Sequence, residues 1–142
     1  RIYPVERALE ALAGADVLML AAPENPRTTG LIDGIALDQL SAGAYLINVA
    51  RGALVKTDAL VRALEMGHLA AAGLDVTDPN PLPPHHILRT MPNVVITPHC
   101  AGVGAEGDVA GHIARNIDRL SHNLPLQNAI AFRVESSELV LT

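Results

Sequence analysis

The longest unbroken apolar run in the chain is only six residues, 17–22, and a proline at position 23 closes it. Such a run is far below the roughly 20 residues that span a bilayer as a helix. It suits a strand buried on both faces, extending over 15–23 with its polar flanks. Similar short runs recur at 44–49, 70–76 and 93–97, and between the first three lie segments with helical signals. Asp33 is placed to cap a short helix over 34–40, with Gly43 ending it nearby. Thr57 is placed as the N-cap of a second helix, which shows Leu60, Val61 and Leu64 on one face and stops at Gly67. A last helix over 107–123 puts Val109, Ile113, Ile117 and Leu120 on one stripe and Arg115, Asp118 and Arg119 on the other face. Strands alternating with helices predict an α/β fold: a parallel sheet with flanking helices and right-handed crossovers. Residues 77–84 break the alternation, because four prolines forbid a helix there and favour an extended, rigid loop.

Composition narrows the reading further. With three aromatic residues (Tyr3, Tyr45, Phe132) and no Trp, the core must be built from Ala, Val, Leu and Ile, which suits close helix-on-sheet packing. A net charge of −5 argues against a general nucleic-acid or acidic-membrane binder. One cysteine, Cys100, excludes an internal disulfide and fits a reducing compartment, so a cytoplasmic location is expected. No basic segment followed by an apolar one opens the chain, and it begins at Arg1 rather than Met, which suggests a fragment.

Open parallel sheets bind ligands beyond the carboxyl ends of their strands. There the sequence places Pro23, then Arg51, then Asp75, then His99. Singly, each has an ordinary explanation as a surface cation, a turn cap or a solvated imidazole. Together they suit an anionic substrate whose carbonyl gains or loses a proton. A guanidinium grips a carboxylate with two hydrogen bonds, and an imidazole exchanges protons near neutral pH.

Three stretches carry a likeness: Ile47-Asn-Val-Ala-Arg-Gly-Ala-Leu-Val55, Gly73-Leu-Asp-Val76 and Pro92-Asn-Val-Val-Ile-Thr-Pro-His-Cys-Ala-Gly102. With Thr29-Gly-Leu-Ile32, and collinearly from about Leu12 to Leu124, they resemble the D-isomer-specific 2-hydroxyacid dehydrogenase family, glyoxylate/hydroxypyruvate reductases above all. The resemblance implies part of a Rossmann-type domain that binds NAD or NADP and acts on a small anionic 2-oxo or 2-hydroxy acid. Residues 1–123 would be the C-terminal half of that domain, and 124–142 a tail returning to the substrate domain. Arg51 would bind the substrate carboxylate, and His99 would be the acid or base. Asp75 would hold the nicotinamide carboxamide. Ala22, Pro23, Val49, Ala50, Arg51, Ala101 and Gly102 would line the cofactor. The full-length protein is expected to be a homodimer with no nucleic-acid or membrane partner, and the 142-residue chain alone to be inactive.

Departures from the family pattern are informative. Gly102-Val-Gly-Ala-Glu-Gly107 spells G-x-G-x-x-G, but the resemblance puts it after the histidine; the family's phosphate loop would lie upstream of Arg1. Five residues after the aspartate the family usually carries a glutamate that keeps the histidine protonated. Here that position is Asn80, an amide without charge. Asn80 motivates the alternative of a non-catalytic, nucleotide-sensing or scaffold relative. Arg89 stands where relatives often show Trp. His85 and His86, with His99 and Cys100, could suggest a metal site, but adjacent histidines in a proline loop point apart, so no metal is expected.

Overall fold

The computed structural model describes residues 1–102, 106–125 and 127. The chain divides into two compact units, Arg1–Gly102 and Val103–Thr142.

The first unit holds four parallel strands in the order β1 (Val17–Leu20), β2 (Ala44–Asn48), β3 (Leu69–Leu74) and β4 (Val94–Ile96). All four fall inside the apolar runs except at the start of β3, which begins one residue earlier. A short helix, α1 (Ala8–Leu12), preceded by a 3-10 turn at Val5–Arg7, comes before β1. Helix α2 (Gly34–Asp38) links β1 to β2, and α3 (Thr57–Glu65) links β2 to β3. Asp33 caps α2 as expected, its Oδ1 accepting the Ala36 N–H at 3.0 Å, a bond of about 1 kcal/mol. Gly67 ends α3 in the left-handed region at φ 70°, a conformation open to glycine at little steric penalty.

Thr57 does not cap α3. It is the first helical residue, and its hydroxyl instead donates to the Asp78 carbonyl at 2.6 Å, tying the helix start to the proline loop. That loop bends over 78–81 rather than running extended, because Thr77 Oγ1 also donates to the Pro79 carbonyl at 2.9 Å and draws the chain round.

Burial along the strands alternates, which corrects the expectation of a first strand covered on both faces. Leu20, Leu46, Ala72 and Leu74 pack beneath α2 and α3 with Leu37, Leu60 and Leu64 in one core. Val17, Met19, Tyr45 and Val95 are each more than half exposed. Both linking helices cover the same face, so the sheet's other face has no cover from the described residues of this unit.

The register decides where functional groups emerge. Leu20 pairs with Asn48, Asn48 with Leu74, and Leu74 with Ile96, so all four strands end level. Whatever follows each strand therefore leaves from a single edge.

In the second unit, α4 (Glu106–Ser121) matches the predicted last helix to within two residues. Ile117 and Leu120 of its apolar stripe are exposed among the described residues. Of the tail expected over 124–142 only residues 124, 125 and 127 are described, and residues 103–105 of the Gly102–Gly107 stretch lie outside the described residues. No described helix is long and apolar enough to cross a membrane.

Candidate active site

At the end of β2 the chain must turn sharply while leaving Arg51 at the sheet edge. Asn48, inward-facing and 1% exposed, makes the turn. Its Oδ1 accepts the Ala50 N–H at 3.0 Å and its Nδ2 donates to the Arg51 carbonyl at 2.9 Å. A buried amide with both ends satisfied fixes local backbone geometry, because either bond lost would strand a polar group. Arg51 itself is exposed and extended, and one N–H of Nη1 donates to the Ala50 carbonyl at 2.7 Å. Its Nε and Nη2 have no partner among the described residues. Beside it, a Cβ on Gly52 would lie 2.0 Å from the Thr77 carbonyl oxygen. The turn carrying Arg51 therefore presses backbone to backbone against the loop that follows β3, and a side chain there would force the two apart.

Asp75, one residue past β3 and buried at 6% exposure, organises the next corner. Its Oδ1 accepts the Thr97 hydroxyl at 2.5 Å and the Cys100 N–H at 2.9 Å, with the Cys100 thiol at 3.6 Å. Its Oδ2 accepts the Ala101 N–H at 2.9 Å. The Thr97 hydroxyl and then the Ala101 amide hold the Asp75 carboxyl well below its ordinary value, at about 2. Between these anchors the chain passes through His99 with φ 56°. A non-glycine residue in the left-handed region costs about 1–2 kcal/mol, which bonds from one carboxylate to both following amides offset.

His99 faces Asn80, with Asn80 Nδ2 3.4 Å from His99 Nδ1. Asp75, Asn80 and His99 line one open cleft of about 360 Å³ between the proline loop and the end of β4, and Arg89 lines it too. Arg51 stands on the same edge without lining the cleft. At the end of β1, Ala22 is half-buried and Pro23 exposed, and the Pro23 carbonyl accepts the Thr28 hydroxyl at 2.8 Å. Val49 donates its N–H to the Leu20 carbonyl at 3.2 Å. Gly102 is exposed, with open space where a Cβ would stand. Of the other histidines considered for a metal, His86 uses Nδ1 to accept the Leu88 N–H at 3.3 Å. Among the described residues no three His, Cys, Asp or Glu side chains gather as a metal site.

Two positions of consequence were missed in the sequence reading. Asn48 left a signal, an amide among the inward positions Ala44 and Leu46 of a buried strand. Gly52 left none, since its partner Thr77 lies 25 residues away and only folding brings them together.

Residues 2–101 match the model of the family described as "D-isomer specific 2-hydroxyacid dehydrogenase, NAD binding domain", and the chain belongs to that family. It is 42% identical over 112 residues to glyoxylate/hydroxypyruvate reductase A of Serratia proteamaculans (strain 568), covering 79% of this chain and 36% of that protein. A D-isomer specific 2-hydroxyacid dehydrogenase from Xanthobacter autotrophicus Py2, solved in complex with NADPH and MES, is 40% identical at a TM-score of 0.79, over 87% of this chain and 51% of that one. An NADPH-dependent glyoxylate/hydroxypyruvate reductase from Sinorhizobium meliloti, solved with NADP and sulfate, gives a TM-score of 0.82 at 28% identity, over 90% and 42% of the two chains. The chain spans about a third of the length of the curated relatives it matches.

Proposed function

We infer that this chain is the nicotinamide-side half of an NAD(P)-dependent oxidoreductase acting on a small 2-oxo or 2-hydroxy acid of the glyoxylate or hydroxypyruvate type. The reading rests on one observation above others: His99 and Asn80 meet in the cleft that Asp75 lines, with Arg51 on the same sheet edge.

The residues present fit a nicotinamide. Asp75 Oδ2 accepts a single bond, so it keeps acceptor capacity for a carboxamide N–H. The backbone at Ala22, Pro23, Val49, Ala50, Ala101 and Gly102 lines the same edge in this reading. When bound, the reduced nicotinamide supplies the hydride, and the chain supplies position and charge. Arg51 turns its unengaged Nε and Nη2 to the substrate carboxylate in a two-pronged bond and polarises the neighbouring carbonyl. His99 delivers a proton to the carbonyl oxygen in reduction and takes the hydroxyl proton in reverse. Asn80 occupies Nδ1, which leaves Nε2 as the atom that faces substrate. An amide can donate to a bare Nδ1 or, turned over, accept from Nδ1–H, so Asn80 orients the ring without favouring its charged form. In this reading the full-length protein is a cytoplasmic homodimer.

In the full-length protein, nicotinamide-dependent turnover of glyoxylate or hydroxypyruvate should fall roughly 100- to 1,000-fold in Arg51→Ala, the scale set by loss of a charge-stabilising donor. Steady-state kinetics on both acids measure it, and full activity in the variant ends the reading. A second reading is favoured by the same Asn80 contact: a nucleotide-sensing or scaffold relative that keeps the fold without the chemistry, because the partner of His99 carries no charge.

A further inference from the structure

We propose that Arg89 is a specificity residue that binds a second carboxylate of the substrate, so that the site prefers 2-oxo diacids to 2-oxo monoacids. The proposal rests on the dehydrogenase reading above and extends it to the far end of the substrate.

Arg89 closes the 3-10 turn Ile87–Arg89 and lines the cleft that His99 lines. Its guanidinium is held in place by the proline loop. Nε donates to the carbonyls of Leu82 at 3.3 Å and Pro83 at 3.0 Å, and Nη2 donates to Leu82 at 2.6 Å. Nη1 and one N–H of Nη2 are left without a partner among the described residues. Those remaining N–H groups belong to the end of the guanidinium fork, whose spacing matches the two oxygens of a carboxylate. A cation already fixed by two backbone carbonyls loses little side-chain freedom on binding, so more of the interaction reaches the affinity.

The charge inventory of the cleft points the same way. Arg89 is the one Lys or Arg among its lining residues, and it forms no ion pair with any described carboxylate. Asp75, the one carboxylate lining the cleft, is bound by Thr97, Cys100 and Ala101 and makes no ion pair with Arg89. The positive charge is therefore left for a ligand.

Pyruvate and oxaloacetate, which differ by one carboxylate, are a matched pair for the test in the full-length protein with saturating NADPH or NADH. Wild type should show kcat/KM for oxaloacetate at least about 10-fold above that for pyruvate. Arg89→Met should lower the oxaloacetate value roughly 10- to 100-fold and leave pyruvate within about threefold, the range expected for one charge-assisted bond. Arg89→Lys should fall between the two. An equal fall on both acids would make Arg89 only a brace for the proline loop and overturn the proposal. If Arg89→Met does not fold, the wild-type ratio and Arg89→Lys decide; a wild-type ratio near one overturns the proposal as well. Turnover of neither acid, nor of glyoxylate or hydroxypyruvate, would instead overturn the dehydrogenase reading itself.

Discussion

Two side chains contact the segment from Thr97 to Ala101, and they hold it in opposite ways. Asp75 is charged and buried, and it is bound by a hydroxyl and two consecutive backbone amides at 2.5–2.9 Å. Asn80 is neutral and exposed, and its one contact with His99 is 3.4 Å long. The first corner sets where the histidine backbone lies, since the amides it binds are those immediately after His99. The second touches only the ring. Backbone position and ring contact of one imidazole thus depend on separate residues, one bound by three short hydrogen bonds and one by a single long contact.

Breaking the rigid corner should have the largest effect. In Asp75→Asn one amide oxygen can still serve Thr97 and Cys100, but the new NH2 group faces the Ala101 N–H, donor against donor. His99 loses one of the two amide bonds that offset its left-handed backbone, and a displacement of about 1 Å lowers kcat/KM of the full-length protein on the order of 100-fold. The same substitution should flatten acid sensitivity. The carboxyl of Asp75 is held at about 2 in the fold against an ordinary 3.8, so the stability it contributes is complete above about pH 4 and is lost as pH falls toward 2. Unfolding followed by circular dichroism across that window should show wild type losing stability that the variant does not have to lose. Identical acid profiles would show that the corner is not held as described.

Next in size is Gly52→Ala, which tests whether the Arg51 turn and the loop after β3 are one rigid piece. A methyl 2.0 Å from the Thr77 carbonyl oxygen forces backbone to move, at about 1–3 kcal/mol by urea unfolding. A change below about 0.5 kcal/mol would mean that the two loops are independent.

The soft corner sharpens the comparison from the other side. Asn80→Glu places a carboxylate next to an imidazole and favours its protonated form. The pH at which reductase activity falls should move upward by about one unit, with activity at neutral pH rising up to about tenfold. No gain, with cofactor binding intact, would favour the non-catalytic reading.

Much of this was legible in the chain. Short apolar runs marked four strands, and the topology of parallel sheets placed Arg51, Asp75 and His99 on one edge. The covering of the sheet was not legible. Val17 and Met19 read as residues buried on both sides, yet burial depends on what packs above them, and α2 and α3 both take the other face. Thr57 read as a helix cap because capping is a local preference, whereas its hydroxyl answers to Asp78, 21 residues away.

The sequence by itself determined the element order and the residue types at the strand ends, because periodicity, proline and glycine act over a few neighbouring residues. Only the tertiary structure decided that Asp75 grips the amides after His99, that Asn80 meets its ring, and that Gly52 lies against Thr77. Those are contacts between residues 19 to 26 positions apart, set by strand register, and no local pattern encodes the distance between two loops.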